Sequence, residues 1–293
     1  MSQRPRRSVL YMPGSNARAI EKARGLAVDA VILDLEDSVA PEAKDKARTA
    51  VADAVAAGGF GPREVVIRIN ALDTPWAKAD IEAAARAKPD AVLLPKTSSP
   101  AELERLGDLL RQAGAPATTE IWAMIESAAA ILNLREIASA ARSPGVRLTC
   151  LVVGLNDLVK ETRIRLDANR TAALYWLSAS VTAARANDID VLDGVWNTFR
   201  DMDGYARECR QGLDLGFDGK TIIHPDQAAL ANETFRPTDD EVAWARKVIA
   251  AFALPENAGH AVIGLEGRMV ELLHRDSALR TVAIAEAISA RGA

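Results

Sequence analysis

Acidic and basic residues recur in this sequence at one kind of place, just where a short apolar run stops. Leu33-Asp34-Leu35-Glu36-Asp37 ends one run, Ile67-Arg68-Ile69-Asn70 another, Pro95-Lys96-Thr97 a third and Ile125-Glu126-Ser127 a fourth. Gly154-Leu155-Asn156-Asp157 and His224-Pro225 follow two more. Side chains at i and i+2 share a face of a strand, so Asp34 lies with Glu36, Arg68 with Val66 and Asn70, and Glu126 with Met124 and Trp122. Converging carboxylates are costly to bury without compensation, which here comes from Arg68 and Lys96 or from a bound metal. Glu126 and Asp157 offer oxygen ligands with no His or Cys constellation nearby, a donor set that suits a hard ion such as Mg²⁺.

The elements that must carry these residues are short. Eight apolar runs of strand length span Ser8 to Met12, Ala30 to Glu36, Glu64 to Asn70, Ala91 to Pro95, Glu120 to Glu126, Arg147 to Val153, Asp190 to Val195 and Lys220 to His224. Ala-rich helical patterns separate them, among them Asn16 to Gly25, Pro41 to Ala57, Pro75 to Ala87, Pro100 to Ala113 and Ala168 to Asn187, several opening on a proline or a capping residue. This is the layout of repeated βα units. Eight repeats within a catalytic domain at 1–235 predict an α/β fold, a (β/α)8 TIM barrel, with a doubly wound open sheet as the alternative. Barrel enzymes place their chemistry at the C-terminal strand ends, where these charges gather. The region 236–293 reads as a C-terminal helical extension or lid, with helices over Asp239 to Ala253 and Arg268 to Ala290 around a loop at Pro255-Glu256-Asn257.

A net charge of −4 leaves no basic field for nucleic acid or an anionic membrane. Cys150 and Cys209 have neither disulfide nor metal-ligand spacing. No run approaches the roughly 20 apolar residues of a membrane span, and the N-terminal stretch is too short in apolar residues for a signal peptide. A cytoplasmic location is expected. Any anion site must be local. The turn Pro13-Gly14-Ser15-Asn16, opening a helix with Arg18 and Lys22, reads as a phosphate seat or as a capped helix with a solvated basic face.

In order, Arg7-Ser8-Val9-Leu10-Tyr11-Met12-Pro13-Gly14, Leu33-Asp34-Leu35-Glu36-Asp37-Ser38-Val39, Ile67-Arg68-Ile69-Asn70, Glu126-Ser127, Gly154-Leu155-Asn156-Asp157-Leu158 and Gly219-Lys220-Thr221-Ile222-Ile223-His224-Pro225 resemble the motifs of the HpcH/HpaI aldolase and citrate lyase β-subunit family. The resemblance implies a (β/α)8 fold, a homotrimer or hexamer, and Mg²⁺ on Glu126 and Asp157. It implies substrate binding by Arg68 and, for coenzyme A esters, by Tyr11, Arg18, Lys22, Ile223 and His224. Arg18 stands where some members have Lys. Members that cleave coenzyme A esters carry, after a Gly and a Met, a catalytic Asp followed by Pro-His. Here the stretch is Gly267-Arg268-Met269-Val270-Glu271-Leu272-Leu273-His274, so Glu271 replaces the Asp and Leu273 the Pro.

The expected reaction is cleavage or condensation of a 3-hydroxyacyl thioester, giving an acyl thioester and a small 2-oxo acid. Mg²⁺ and Glu126 hold the acid, Arg68 stabilises the enolate oxygen, Asp34, Glu36 and Asp37 orient Arg68 and metal-bound water, and Glu271 acts as acid/base. Three alternatives stay open: a thioesterase using the same site, a Schiff-base aldolase using Lys96, and a non-catalytic subunit working with an acyl-carrier protein.

Overall fold

A computed structural model describes residues 4–291 of the chain. Eight parallel strands close into a barrel: β1 (Ser8–Pro13), β2 (Ala30–Asp34), β3 (Glu64–Arg68), β4 (Ala91–Leu94), β5 (Glu120–Ile125), β6 (Leu148–Val153), β7 (Asp190–Asp193) and β8 (Gly219–Ile222), with β8 pairing back to β1. The open-sheet alternative is thereby excluded. The helices between and after them are α1 (Ala17–Ala23), α2 (Lys44–Ala57), α3 (Ala77–Ala87), α4 (Pro100–Gln112), α5 (Ala128–Leu132), α6 (Leu134–Ser139), α7 (Leu155–Thr162), α8 (Leu174–Arg185), α9 (Met202–Leu215) and α10 (Ala228–Thr234). No helix among the described residues is long and apolar enough to cross a membrane.

Alternation sorts the strand residues. Val9, Ala30, Ile32, Val66, Ala91, Leu93, Trp122, Met124, Cys150, Val152 and Leu192 pack together as the barrel interior, with Tyr11 against them. Their alternates, such as Leu33, Ile67 and Leu151, are equally buried and face the helices, which is why these runs are apolar throughout.

The N-terminal end of the barrel is closed by Arg6. Its guanidinium donates to Glu64 at 2.7 and 2.8 Å, to Asp190 at 2.9 Å and to Glu120 at 3.1 Å, and it lies 4.7 Å from the centre of the Trp122 ring. Those acids open β3, β5 and β7, so alternate strands contribute one layer, the arrangement a closed barrel interior favours.

Several runs end earlier than the sequence pattern implies. β2 stops at Asp34 and β3 at Arg68, so Glu36 and Asn70 lie on loops. The helix expected from Ala168 begins as a single 3-10 turn at Thr171 and becomes α8 only at Leu174.

The described residues divide into two compact units, one being 6–234 and the other 235 onward with the N-terminal residues 4 and 5. The second unit contains α11 (Asp239–Ala253), an antiparallel hairpin of β9 (Val262–Leu265) and β10 (Arg268–Glu271), and α12 (Leu272–Ala290). A helix starting at Arg268 is therefore incorrect. Glu266 and Gly267 both take positive φ, 49° and 76°, the two-residue turn that joins tightly twisted strands. Ile263 and Val270 then turn into a core with Val248 and Ala278.

Breaking the Arg6 seal strands Glu64, which is 1% exposed. Arg6→Met should lower unfolding free energy by about 3–5 kcal/mol in a urea titration, and adding Glu64→Gln should recover part of that loss. Equal losses in the single and double variants would show that the pair contributes no mutual stabilisation.

Candidate active site

Asp34 and Arg68 are register partners across β2 and β3, both pointing inward at the C-terminal end of the barrel. The carboxylate takes the guanidinium as a fork, 2.7 Å from Nε to Oδ1 and 2.7 Å from Nη2 to Oδ2. Backbone N–H groups of Glu36 and Ser38 also donate to Asp34. Burial alone would raise its pKa, but Arg68 and these donors hold it below the usual carboxylate value. Arg68 is itself buried, lies 5.0 Å over the Tyr11 ring, and has Nη1 3.0 Å from Glu36 Oε2 and 3.5 Å from Met124 Sδ. A thioether is a weak acceptor, so this outer edge of the guanidinium retains donor capacity for a stronger oxygen.

Glu36 reaches inward from its loop and bridges Arg68 to Lys96 Nζ. Lys44, nearly buried on α2, donates to the carbonyls of Leu35 and Glu36 at 2.9 and 2.8 Å and so fixes that loop from behind. Asn70 does not join the face of Arg68. With the strand ended, its amide turns to Leu35 O and Asp80 and supports the same loop. Asp37 is 59% exposed and 3.7 Å from Lys96 Nζ.

Glu126 is buried just past β5, with Oε1 accepting the Lys96 N–H at 2.7 Å. Beyond it lies Gly154, where a Cβ would sit 2.7 Å from Glu126 Oε2. A side chain there would occupy the space that the second carboxylate oxygen faces. Asp157 stands in the first turn of α7 and, with Glu36, adds negative charge to that of Glu126. Burial, followed by these acids and opposed by the Lys96 N–H and Arg68, pushes the Glu126 carboxyl up to about 7. Among the described residues no three His, Cys, Asp or Glu side chains form a ready cage for a metal. Two carboxylates, one of them closely approached by a glycine, fit Mg²⁺, which keeps waters and takes few protein ligands.

Lys96 has φ 52° and an ammonium held protonated, because Glu36 and Asp37 outweigh the lowering effect of burial. That makes it a poor Schiff-base nucleophile. Tyr11 lies within the site, its hydroxyl 3.8 Å from Met124 Sδ and kept neutral by burial. Arg18 and Lys22 are exposed on α1, whose N-terminus Asn16 caps by accepting from Ala19 N–H. Ile223 is exposed and His224 stacks on Phe199, ring centres 4.9 Å apart. Glu271 belongs to the second unit, where it forms a capping box with His274 at the start of α12, and its backbone N–H donates to His274 Nδ1 at 2.9 Å.

Sequence reasoning passed over Lys44, Phe199 and Gln227, and took Gly154 only as part of the motif that carries Asp157. Only Gln227 left a local signal, as the third residue after a capping position in His224-Pro225-Asp226-Gln227.

Residues 7–225 match the model of the HpcH/HpaI aldolase/citrate lyase family. A (3S)-malyl-CoA thioesterase of Cereibacter sphaeroides is 46% identical over 98% of this chain and 96% of its own length. Citrate lyase subunit beta of Leuconostoc mesenteroides subsp. cremoris is 34% identical over 92% and 90%. The fold superimposes with a TM-score of 0.72 on the CitE protein of Mycobacterium tuberculosis solved with magnesium, acetoacetate and coenzyme A, which is 31% identical over 94% of this chain and 97% of that one.

A divalent cation must displace any proton on Glu126. Binding of Mn²⁺ as a probe, followed by calorimetry, should therefore strengthen as pH rises towards about 7 and level off above it. Glu126→Gln should weaken binding and flatten that profile. A wild-type affinity that is flat from pH 5.5 to 8 would remove Glu126 from the metal site.

Proposed function

We propose, on the premise that this chain belongs to the HpcH/HpaI aldolase/citrate lyase family, that it is a Mg²⁺-dependent enzyme hydrolysing the coenzyme A thioester of a short 3-hydroxy dicarboxylic acid of the malyl type. The family includes carbon-carbon lyases, and Arg68, Glu126 and Asp157 supply the charge-stabilising and metal-binding part of what such cleavage needs. The observation that carries the reading is the buried Asp34–Arg68 fork with its outer guanidinium edge turned to Met124, in the same barrel mouth as Glu126.

In hydrolysis the C–S bond breaks, water supplies the new C–O bond, and the products are the hydroxy acid and free coenzyme A. Negative charge grows on the thioester oxygen, and Arg68, already oriented by Asp34 and Glu36, presents its remaining donors to it. Glu126 and Asp157 hold Mg²⁺, which when bound supplies a template and a Lewis acid for the oxygens of the hydroxy acid. Asp34 and Glu36 balance the charge of Arg68, and Lys96 in turn pairs with Glu36, while the side of Nη1 turned to the Met124 sulfur keeps only a weak acceptor. Coenzyme A is favoured over an acyl-carrier protein because the 46% identical relative is named for a coenzyme A ester. A homotrimer or hexamer is the proposed assembly.

A second reading is cleavage of the same substrate between its second and third carbons, giving acetyl-CoA and glyoxylate. The family and the citrate lyase relative favour it, and Arg68 would then stabilise an enolate. That reaction also needs a proton delivered to the enolate carbon, for which Glu271 is the proposed donor. Its place in the α12 capping box, together with Leu273 in place of the family's Pro, supports hydrolysis as the main outcome.

Incubation with (3S)-malyl-CoA and Mg²⁺ should release free thiol and malate, read by a thiol reagent and chromatography. Stoichiometric acetyl-CoA and glyoxylate would instead establish cleavage, and in that case Glu271→Gln should lower kcat at least tenfold. Arg68→Lys should lower kcat by roughly 100-fold or more in either reaction, because a point charge cannot reproduce the fork. Unchanged turnover in Arg68→Lys would reduce Arg68 to a structural ion pair.

A further inference from the structure

Asp157 and Glu161 are four residues apart on α7, so they lie on one side of it, about 6 Å apart along its axis. Like charges at that spacing disfavour a helix, and the second carboxylate needs a compensating partner. It has one outside α7. Glu161 Oε2 accepts the Ala128 N–H at 3.1 Å. Ala128 is the first residue of α5, two past Glu126, and its N–H is one of those a helix cannot satisfy from within. Ser127 Oγ is already taken by the Ala130 N–H at 3.0 Å, which leaves Ala128 to the acid from α7.

The rest of α7 is fastened elsewhere. Leu155 and Leu158 are buried beneath it. On the side towards β7, Asn156 and Asn197 exchange a pair of hydrogen bonds, 3.2 Å from Asn156 Nδ2 to Asn197 Oδ1 and 2.7 Å from Asn197 Nδ2 to Asn156 Oδ1. Glu161 supplies the tie on the side towards β5. Strand register places Glu126, whose Oε1 accepts the Lys96 N–H, but it does not place Asp157, which rides on a short helix beyond the end of β6. The spacing of the two carboxylates therefore depends on how α7 is held against the chain that follows Glu126.

We propose that Glu161 is a positioning residue of the metal site: by clamping α7 to Ala128 it fixes the spacing of Glu126 and Asp157 and so selects a small divalent cation over a larger one. Mg²⁺ demands near-octahedral oxygens at about 2.0–2.1 Å, whereas Ca²⁺ accepts a looser shell at about 2.3–2.6 Å. A rigid pair of ligands discriminates between them, and a pair free to separate does not. The proposal rests on the reading of Glu126 and Asp157 as the cation's ligands and adds to it the group that sets their distance.

The test is calorimetric titration of the full chain with MgCl₂ and, separately, CaCl₂, read as the ratio of the two dissociation constants. Glu161→Ala should reduce the preference for Mg²⁺ by about fivefold or more, chiefly through weaker Mg²⁺ binding. Glu161→Gln should keep the wild-type ratio within about twofold, because a carboxamide oxygen still accepts the Ala128 N–H. Ala128→Pro removes the donor and leaves every charge in place; proline is favoured at the first helical position, and Ser127 before it already has the extended backbone that a following proline requires. It should reproduce Glu161→Ala, and it decides the matter should Glu161→Ala fail to fold. An unchanged ratio in Ala128→Pro, equal weakening of both cations in Glu161→Ala, or the same change in Glu161→Gln as in Glu161→Ala overturns the proposal, the last because lost charge and not the lost tie would then be the cause. Wild-type binding that Glu126→Gln does not weaken, or no binding of either cation by the wild type, overturns the ligand assignment itself and the proposal with it.

Discussion

The site depends on one buried ion pair. Asp34 and Arg68 meet because β2 and β3 are in register at those two residues and both face inward. Once joined, the pair sets what surrounds it. Tyr11 lies against the guanidinium, Glu36 is drawn in from its loop, and Lys96 follows Glu36. Burial raises the Glu36 pKa even so, with Arg68 and then Lys96 opposing it. Removing one partner from a buried pair costs about 3–5 kcal/mol, against a total stability of roughly 5–15 kcal/mol for a domain. Site geometry and fold stability are therefore maintained here by the same contacts. The loop of Leu35 and Glu36 is held from outside by Lys44 and Asn70, so the inner pair is supported by an outer set of hydrogen bonds.

Much of this was legible in the sequence because strands impose a strict period. Asp34, Arg68 and Glu126 could be assigned to the interior from alternation with Ile32, Val66 and Met124, and the barrel places them there. The same rule failed at Asn70, one pair of residues beyond the end of β3, where the chain no longer alternates. Helix periodicity misread Arg268–Glu271 for a related reason. Its residues are compatible with a helix, and the hairpin is decided by the backbone at Glu266 and Gly267, which a hydrophobic pattern does not register. Lys44 acts on backbone carbonyls of the loop before it and Gln227 reaches Trp196 after β7 as well as its neighbours Ile223 and His224, so local sequence shows only part of Gln227's partners and none of Lys44's. Gly154 matters because only a residue without a Cβ lets the backbone come this close to Glu126, which is visible only after β5 and β6 are side by side.

Hydrolysis and carbon-carbon cleavage make similar demands on the barrel. Both require a cation where an oxygen gains charge and carboxylates for a hard metal. They differ in whether water or a proton donor reaches the right atom. Loops vary more easily than a register-locked pair of strand residues, so that difference is the easier one to alter.

The Arg6 plug at the far end of the barrel gives the molecule a direction. With Glu64, Trp122 and Arg6 all nearly inaccessible and the strand side chains packed above them, the barrel is sealed at that end and its chemistry is confined to the face at the C-terminal strand ends. Under the proposed reaction, substrate and both products share that one face, so traffic would be sequential. Whichever fragment lies deeper waits for the one above it. Under the proposed hydrolysis, a thioester bound with its acid end nearest Arg68 and Glu126 would release its thiol fragment first, and the free acid, last to leave, would inhibit as a product.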